Sequence, residues 1–101
     1  MNWTEIGALT DIPSKGSRIV KTPEGDVALF RTATDDIFAL FDQCPHKQGP
    51  LSQGIVHDNR VTCPLHNWVI DMASGQATGP DEGCTRTFET KVENGIVYLA
   101  L

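Results

Sequence analysis

No apolar run in the 101 residues approaches the ~20 needed to cross a bilayer, which argues against a membrane-embedded protein. Basic residues are scarce. Eight Lys and Arg stand against thirteen Asp and Glu, for a net charge of -5, and they are scattered along the chain. Nucleic acid and anionic membrane are therefore poor candidate partners. The opening MNWTEIGALTDIP has neither a basic n-region nor a long apolar core, so it does not read as a secretory signal. There is no repeat at solenoid period, no low-complexity tract and no sustained 3.6-residue apolar period. Cysteine is sparse and odd in number, at three. With no export signal this predicts a cytoplasmic protein, in which Cys and His bind metal or react rather than form disulfides.

What the sequence does have is punctuation: nine Gly and six Pro, with short segments rich in Val, Ile, Phe and Thr between them. Strands are expected at Arg18–Val20, Asp26–Arg31, Ile37–Phe41, Gly54–His57, Arg60–Thr62, Trp68–Asp71, Thr85–Val92 and Ile96–Leu99. Turns are expected at Thr34–Asp36, Asp58-Asn59, Ala73–Gly75 and Glu93–Gly95. In the last, Asn-Gly favours the positive φ angles of a type I′ hairpin. The pattern predicts an all-β sandwich or barrel-like fold, built as one domain over residues 1–101. A chain this short buries a modest core, so a bound metal would help hold it.

Two stretches rhyme. Cys44-Pro45-His46 and Cys63-Pro64-Leu65-His66 each set a thiol just ahead of an imidazole, and each Cys is followed by Pro. Sixteen residues separate Cys-x-His from Cys-x-x-His. Both fall in predicted loops, joined by the hairpin around Asp58-Asn59, so a β scaffold can bring them to one place. Three chemistries use such residues. A structural zinc site takes two thiolates and two imidazoles, although zinc knuckles usually begin with paired Cys. A Cys/His nucleophile pair explains one of each but not the duplication. A [2Fe–2S] cluster with two Cys on one iron and two His on the other uses all four, provided each loop reaches both irons. Gly49 would let backbone approach the sulfides, and Pro45 and Pro64 would stiffen the loops. Four unrelated loop residues remain the bland alternative.

This spacing resembles the Rieske [2Fe–2S] signature. The string CPHKQGPLSQGIVHDNRVTCPLHNWVIDMASGQATGPDEGC over residues 44–84 resembles one branch of that family, the small subunit of assimilatory NAD(P)H nitrite reductase. Pro-His-Lys-Gln-Gly-Pro-Leu, Cys-Pro-Leu-His-Asn-Trp and Gly-Pro-Asp-Glu-Gly-Cys carry the resemblance. It implies a small β-sandwich with a two-loop cluster-binding subdomain at about 43–84, covered by a third loop at Gly79-Pro80-Asp81. It also implies Cys44 and Cys63 on one iron and His46 and His66 on the other, with the imidazoles toward solvent. The partner implied is a large subunit bearing flavin and sirohaem, and the role is electron transfer or support in reducing nitrite to ammonium during nitrate assimilation. A freestanding Rieske ferredoxin serving an aromatic-ring oxygenase and a zinc-stabilised, non-redox binding module are the alternatives. No acid/base pair or nucleophile gives the chain turnover alone.

The chain departs from the wider Rieske pattern in two respects and from the high-potential members in a third. Their loops carry an extra Cys pair, whereas Leu65 occupies the second-loop position here. Asn67 replaces the usual Gly after the second His. Their Ser and Tyr hydroxyls correspond to Trp68 and Ile70. Of the other conspicuous residues, Cys84 reads as a small buried or semi-buried side chain. His57 reads as an exposed hairpin His, Trp68 as a cluster shield or core, and Trp3 as core or edge packing. Asp81 and Glu82 read as a solvated loop face. Docking is expected at the end bearing Pro45, His46, Lys47, Pro64, Leu65 and His66, with Lys21, distant in sequence, as a comparison for Lys47.

Overall fold

The computed structural model describes residues 3–43, 50–63, 68–78 and 83–100. Among these, ten strands form antiparallel sheets and there is no α-helix: β1 (Trp3–Ala8), β2 (Ser17–Thr22), β3 (Gly25–Arg31), β4 (Ile37–Phe41), β5 (Ile55–His57), β6 (Arg60–Thr62), β7 (Val69–Asp71), β8 (Thr87–Phe88), β9 (Thr90–Glu93) and β10 (Ile96–Ala100). The sheets run β1-β10-β9, β2-β3-β4-β8 and β5-β6-β7, and none closes into a barrel. No helix among the described residues is long and apolar enough to cross a membrane.

The sheet β2-β3-β4-β8 is the middle layer. In β3 the run Val27-Ala28-Leu29-Phe30 is buried throughout, as expected of a strand covered on both faces. Side chains alternate along a strand, and the packing follows that alternation. Val27 and Leu29 of β3, with Ile37 and Ala39 of β4, pack with Val97 and Leu99 of β10. Ala28 and Phe30, with Leu40 of β4, face the other way and pack with Val56, Val61, Cys63, Ile70 and Met72. One face of the middle sheet thus holds the terminal strands. The other holds the small sheet β5-β6-β7, where Cys63 lies.

The expected strands are present, with ends shifted by a residue or two. The segment expected as one strand over 85–92 is instead divided. Thr87 pairs with Leu40 in the middle sheet, whereas Thr90 pairs with Leu99 in the terminal one, so the chain changes sheets at Glu89. At the last hairpin Asn94 and Gly95 have φ of 52° and 77°, as a type I′ turn requires. Strand β1 carries no clear signal in the sequence. It is mostly exposed in its first half and its register shifts between Glu5 and Gly7. It exists because β10 offers a ladder to pair with.

Candidate metal centre

Of the four residues expected to hold the cluster, Cys63 is described, while Cys44, His46 and His66 lie outside the described residues. So do Pro45, Lys47, Gly49, Pro64, Leu65, Asn67, Gly79, Pro80, Asp81 and Glu82. Among the described residues no group of three or more potential metal-ligating side chains comes together. What the structure gives is the framework from which the segments spring.

Cys63 follows β6 directly and is 1% exposed. It belongs to the same buried group as Leu51, Val61, Ile70 and Met72, with Trp68 packed against it. Its N–H donates to the Trp68 carbonyl at 2.7 Å, so segment 64–67 begins and ends at one place. A thiol at an apolar base suits the buried end of an iron–sulfur site, where water would otherwise reach the sulfides. A second thiol and two imidazoles in the neighbouring segments of the sequence would complete a donor set that fits a [2Fe–2S] cluster of mixed ligation.

Segment 44–49 springs from the end of β4. Asp42 is buried, and its N–H donates to the Asp26 carbonyl at 3.0 Å. Its carboxylate accepts two bonds from Ser52, from the backbone N–H at 2.6 Å and from the hydroxyl at 2.8 Å. Ser52 lies in the short 3₁₀ turn Leu51–Gln53. This turn returns the chain to β5, and Ile55 pairs with Thr62, the residue before Cys63. The flanks of both Cys/His segments therefore meet around one turn. A third segment starts close by. Thr78 donates to the Val69 carbonyl at 2.8 Å, and the Ala77 N–H donates to the Gly83 carbonyl at 2.9 Å, bracketing 79–82.

Other expectations are modified. Cys84 is exposed, not buried or semi-buried; it sits in an isolated bridge with Gln76 outside the named strands, and Gln76 is exposed too. His57 is half-buried rather than exposed, since its Nε2 lies 2.7 Å from the Thr62 hydroxyl across the hairpin. Trp3 lies on edge strand β1 under the Lys91 ammonium, 4.8 Å from the ring centroid. Lys21 is distant from the loops in sequence, but its neighbours lead to Asp42, which precedes the first loop. Its Nζ is 3.5 Å from an Asp26 carboxylate oxygen, and Asp26 also accepts the Asp42 N–H. Sequence reasoning missed Asp42 and Ser52, because nothing in a lone Asp and a lone Ser ten residues apart marks them as partners.

Comparison with known proteins adds the family. A model of the Rieske [2Fe–2S] domain matches residues 2–89, and members of that family bind a Rieske-type [2Fe–2S] cluster. The chain is 40% identical over 85 residues to 4β-methylsterol monooxygenase of Methylococcus capsulatus, a match that takes in 73% of the chain but only 23% of that protein. The chain thus spans less than a quarter of that relative. It is 34% identical over 98 residues to the ferredoxin subunit of anthranilate 1,2-dioxygenase from Burkholderia cepacia, covering 96% of the chain and 90% of that subunit. A solved protein provisionally assigned as the small subunit of an NADPH nitrite reductase superposes with a TM-score of 0.87 at 26% identity, covering all of both chains.

Proposed function

The chain belongs to the Rieske [2Fe–2S] domain family, and on that premise we propose that it is the small subunit of an NAD(P)H-dependent nitrite reductase. In this reading it is a cytoplasmic protein of one domain, with its cluster-binding part at about 43–84. It carries electrons to, or supports, a large subunit bearing flavin and sirohaem that reduces nitrite to ammonium. The observation that carries the reading is the pair of loop strings, Pro-His-Lys-Gln-Gly-Pro-Leu and Cys-Pro-Leu-His-Asn-Trp, set in a chain that matches end to end a protein provisionally assigned as a nitrite reductase small subunit.

Cys44 and Cys63 hold one iron and His46 and His66 the other. The cluster supplies a one-electron redox centre whose two imidazole ligands raise its potential above that of a four-Cys centre. The chain's own residues do the rest. The apolar group around Cys63, with Leu51, Ile70 and Met72, excludes water from the thiolate side. Trp68 closes the base of the second segment. Docking to the large subunit uses the end that bears His46, Lys47, Leu65 and His66, because electron transfer falls off steeply with distance.

A second reading has its own support. The anthranilate 1,2-dioxygenase ferredoxin subunit matches along almost its whole length, so a freestanding ferredoxin of an aromatic-ring oxygenase is the rival. Deleting the gene and growing the strain on nitrite as sole nitrogen source, and separately on an aromatic carbon source, separates the two. The nitrite reductase reading expects failure on nitrite and normal growth on the aromatic compound. The reverse would replace it with the oxygenase reading.

A further inference from the structure

The turn Leu51–Gly54 touches the base of both Cys/His segments, and it does so through contacts that the proposed ligand set does not use. On one side Ser52 is held by Asp42, two residues before Cys44. The carboxylate accepts the Ser52 N–H at 2.6 Å and the Ser52 hydroxyl at 2.8 Å. The Ser52 carbonyl in turn accepts the Ser17 hydroxyl at 2.7 Å, which ties the turn to β2. On the other side Gly54 lies so close to the Thr62 carbonyl oxygen that a Cβ there would collide with it, and Thr62 precedes Cys63. Between the two, Leu51 is fully buried in the same apolar group as Cys63.

The Asp42 carboxylate has both oxygens engaged by one residue, Ser52. Loop closure alone would be served by any hydrophobic contact. What a carboxylate with two fixed donors adds is direction: it sets the distance and the angle between Asp42, two residues before segment 44–49, and the turn that follows it. Gly54 then sets that turn against the strand that delivers Cys63. This chain of contacts links the bases of the two segments.

We propose that Asp42 and Ser52, with the close approach at Gly54, form a strut that holds the two ligand-bearing segments in register. Asp42 is a positioning residue for the cluster rather than a ligand. The inference rests on the ligand set Cys44, His46, Cys63 and His66. Partners that orient ligands typically change metal retention by roughly 10- to 100-fold when removed.

The test compares Asp42→Ala, Asp42→Asn and Ser52→Ala with the unaltered chain and with His66→Ala. The readouts are the EPR g values of the dithionite-reduced protein and the rate of cluster loss to a ferrous chelator. Asp42→Ala should lose the cluster roughly 10-fold faster or more and broaden or shift the g values. Ser52→Ala, which keeps the backbone bond, should show a smaller effect of the same sign. Asp42→Asn should stay near the unaltered chain, because an amide oxygen still accepts the Ser52 N–H and its NH₂ can donate to the hydroxyl oxygen. Unaltered g values and retention in Asp42→Ala would overturn the strut. So would an Asn variant as damaged as the Ala one, since that would make charge and not geometry the cause. If the unaltered chain gives no Rieske-type signal, or His66→Ala leaves that signal intact, the ligand set is wrong and the strut falls with it.

Discussion

The N–H of Cys63 donates to the carbonyl of Trp68 at 2.7 Å, and the Trp68 side chain packs against the buried group that includes Cys63. One residue therefore both flanks the second Cys/His segment and packs against the apolar group to which Cys63 belongs. The sequence left Trp68 divided between cluster shield and ordinary core; the structure shows it packed against the core, and the shielding role is open to test.

Trp68→Ala should cost about 2 kcal/mol of stability, below the full range for a buried aromatic because the ring is only half-buried. It should also speed bleaching of the visible spectrum in air, by opening the apolar side of Cys63 to water and oxygen. Trp68→Phe should recover most of both effects. Urea denaturation and the rate of absorbance loss measure them. A Trp68→Ala protein that bleaches no faster would mean that the ring does not shield the site.

Cys84 is exposed, so a maleimide should label it while the visible spectrum stays unchanged, and Cys84→Ser should keep the cluster. Cys44→Ser and His66→Ala should lose it or alter it drastically. Loss of the spectrum in Cys84→Ser would put Cys84 among the ligands.

The periodic parts of the fold could be read in advance for a simple reason. In β3 and β4 every residue from Val27 to Phe30 and from Ile37 to Leu40 contacts one core or the other, so composition alone marks them as strands. Strand β1 could not be read, because its stability comes from pairing with β10, more than eighty residues away in sequence. The break at Glu89 was equally hidden, since it depends on which sheet has a free edge. At the site, the ligand candidates announced themselves by spacing. Asp42 and Ser52 did not, because a hydrogen bond between two common residues leaves no pattern. Lys21 is remote by number, yet the hairpin β2-β3 sets it beside Asp26, which bonds Asp42.

That last finding changes the comparison needed for docking. Lys91 serves better than Lys21, because it lies on β9 over the rings of Trp3 and Tyr98, on the sheet that covers the opposite face of the middle layer. Charge reversal at Lys47 should lower NAD(P)H-dependent nitrite reduction by the assembled enzyme several-fold, with a shallower salt dependence because an attractive charge is lost. Reversal at Lys91 should leave it near normal. Equal effects from the two would remove the loop end as the docking surface.

Redox poise follows from what stands beside the second segment. Trp68 and Ile70 occupy positions where high-potential relatives place hydroxyls, and Ile70 is fully buried in apolar packing. With no hydroxyl there to stabilise the charge added on reduction, the potential should lie in the lower part of the roughly −150 to +300 mV Rieske range. Protein-film voltammetry measures it. A value near the top of that range would require hydrogen-bond donors to the sulfides from elsewhere in the chain.

The ligand set is tested most directly by pulsed EPR on the dithionite-reduced protein, isolated from iron-replete cells with its iron, sulfide and zinc counted. Ligation by Cys44, His46, Cys63 and His66 predicts a [2Fe–2S] signal of low average g with couplings from two imidazole nitrogens. A signal without nitrogen couplings, or an EPR-silent protein holding stoichiometric zinc and no labile sulfide, would contradict it.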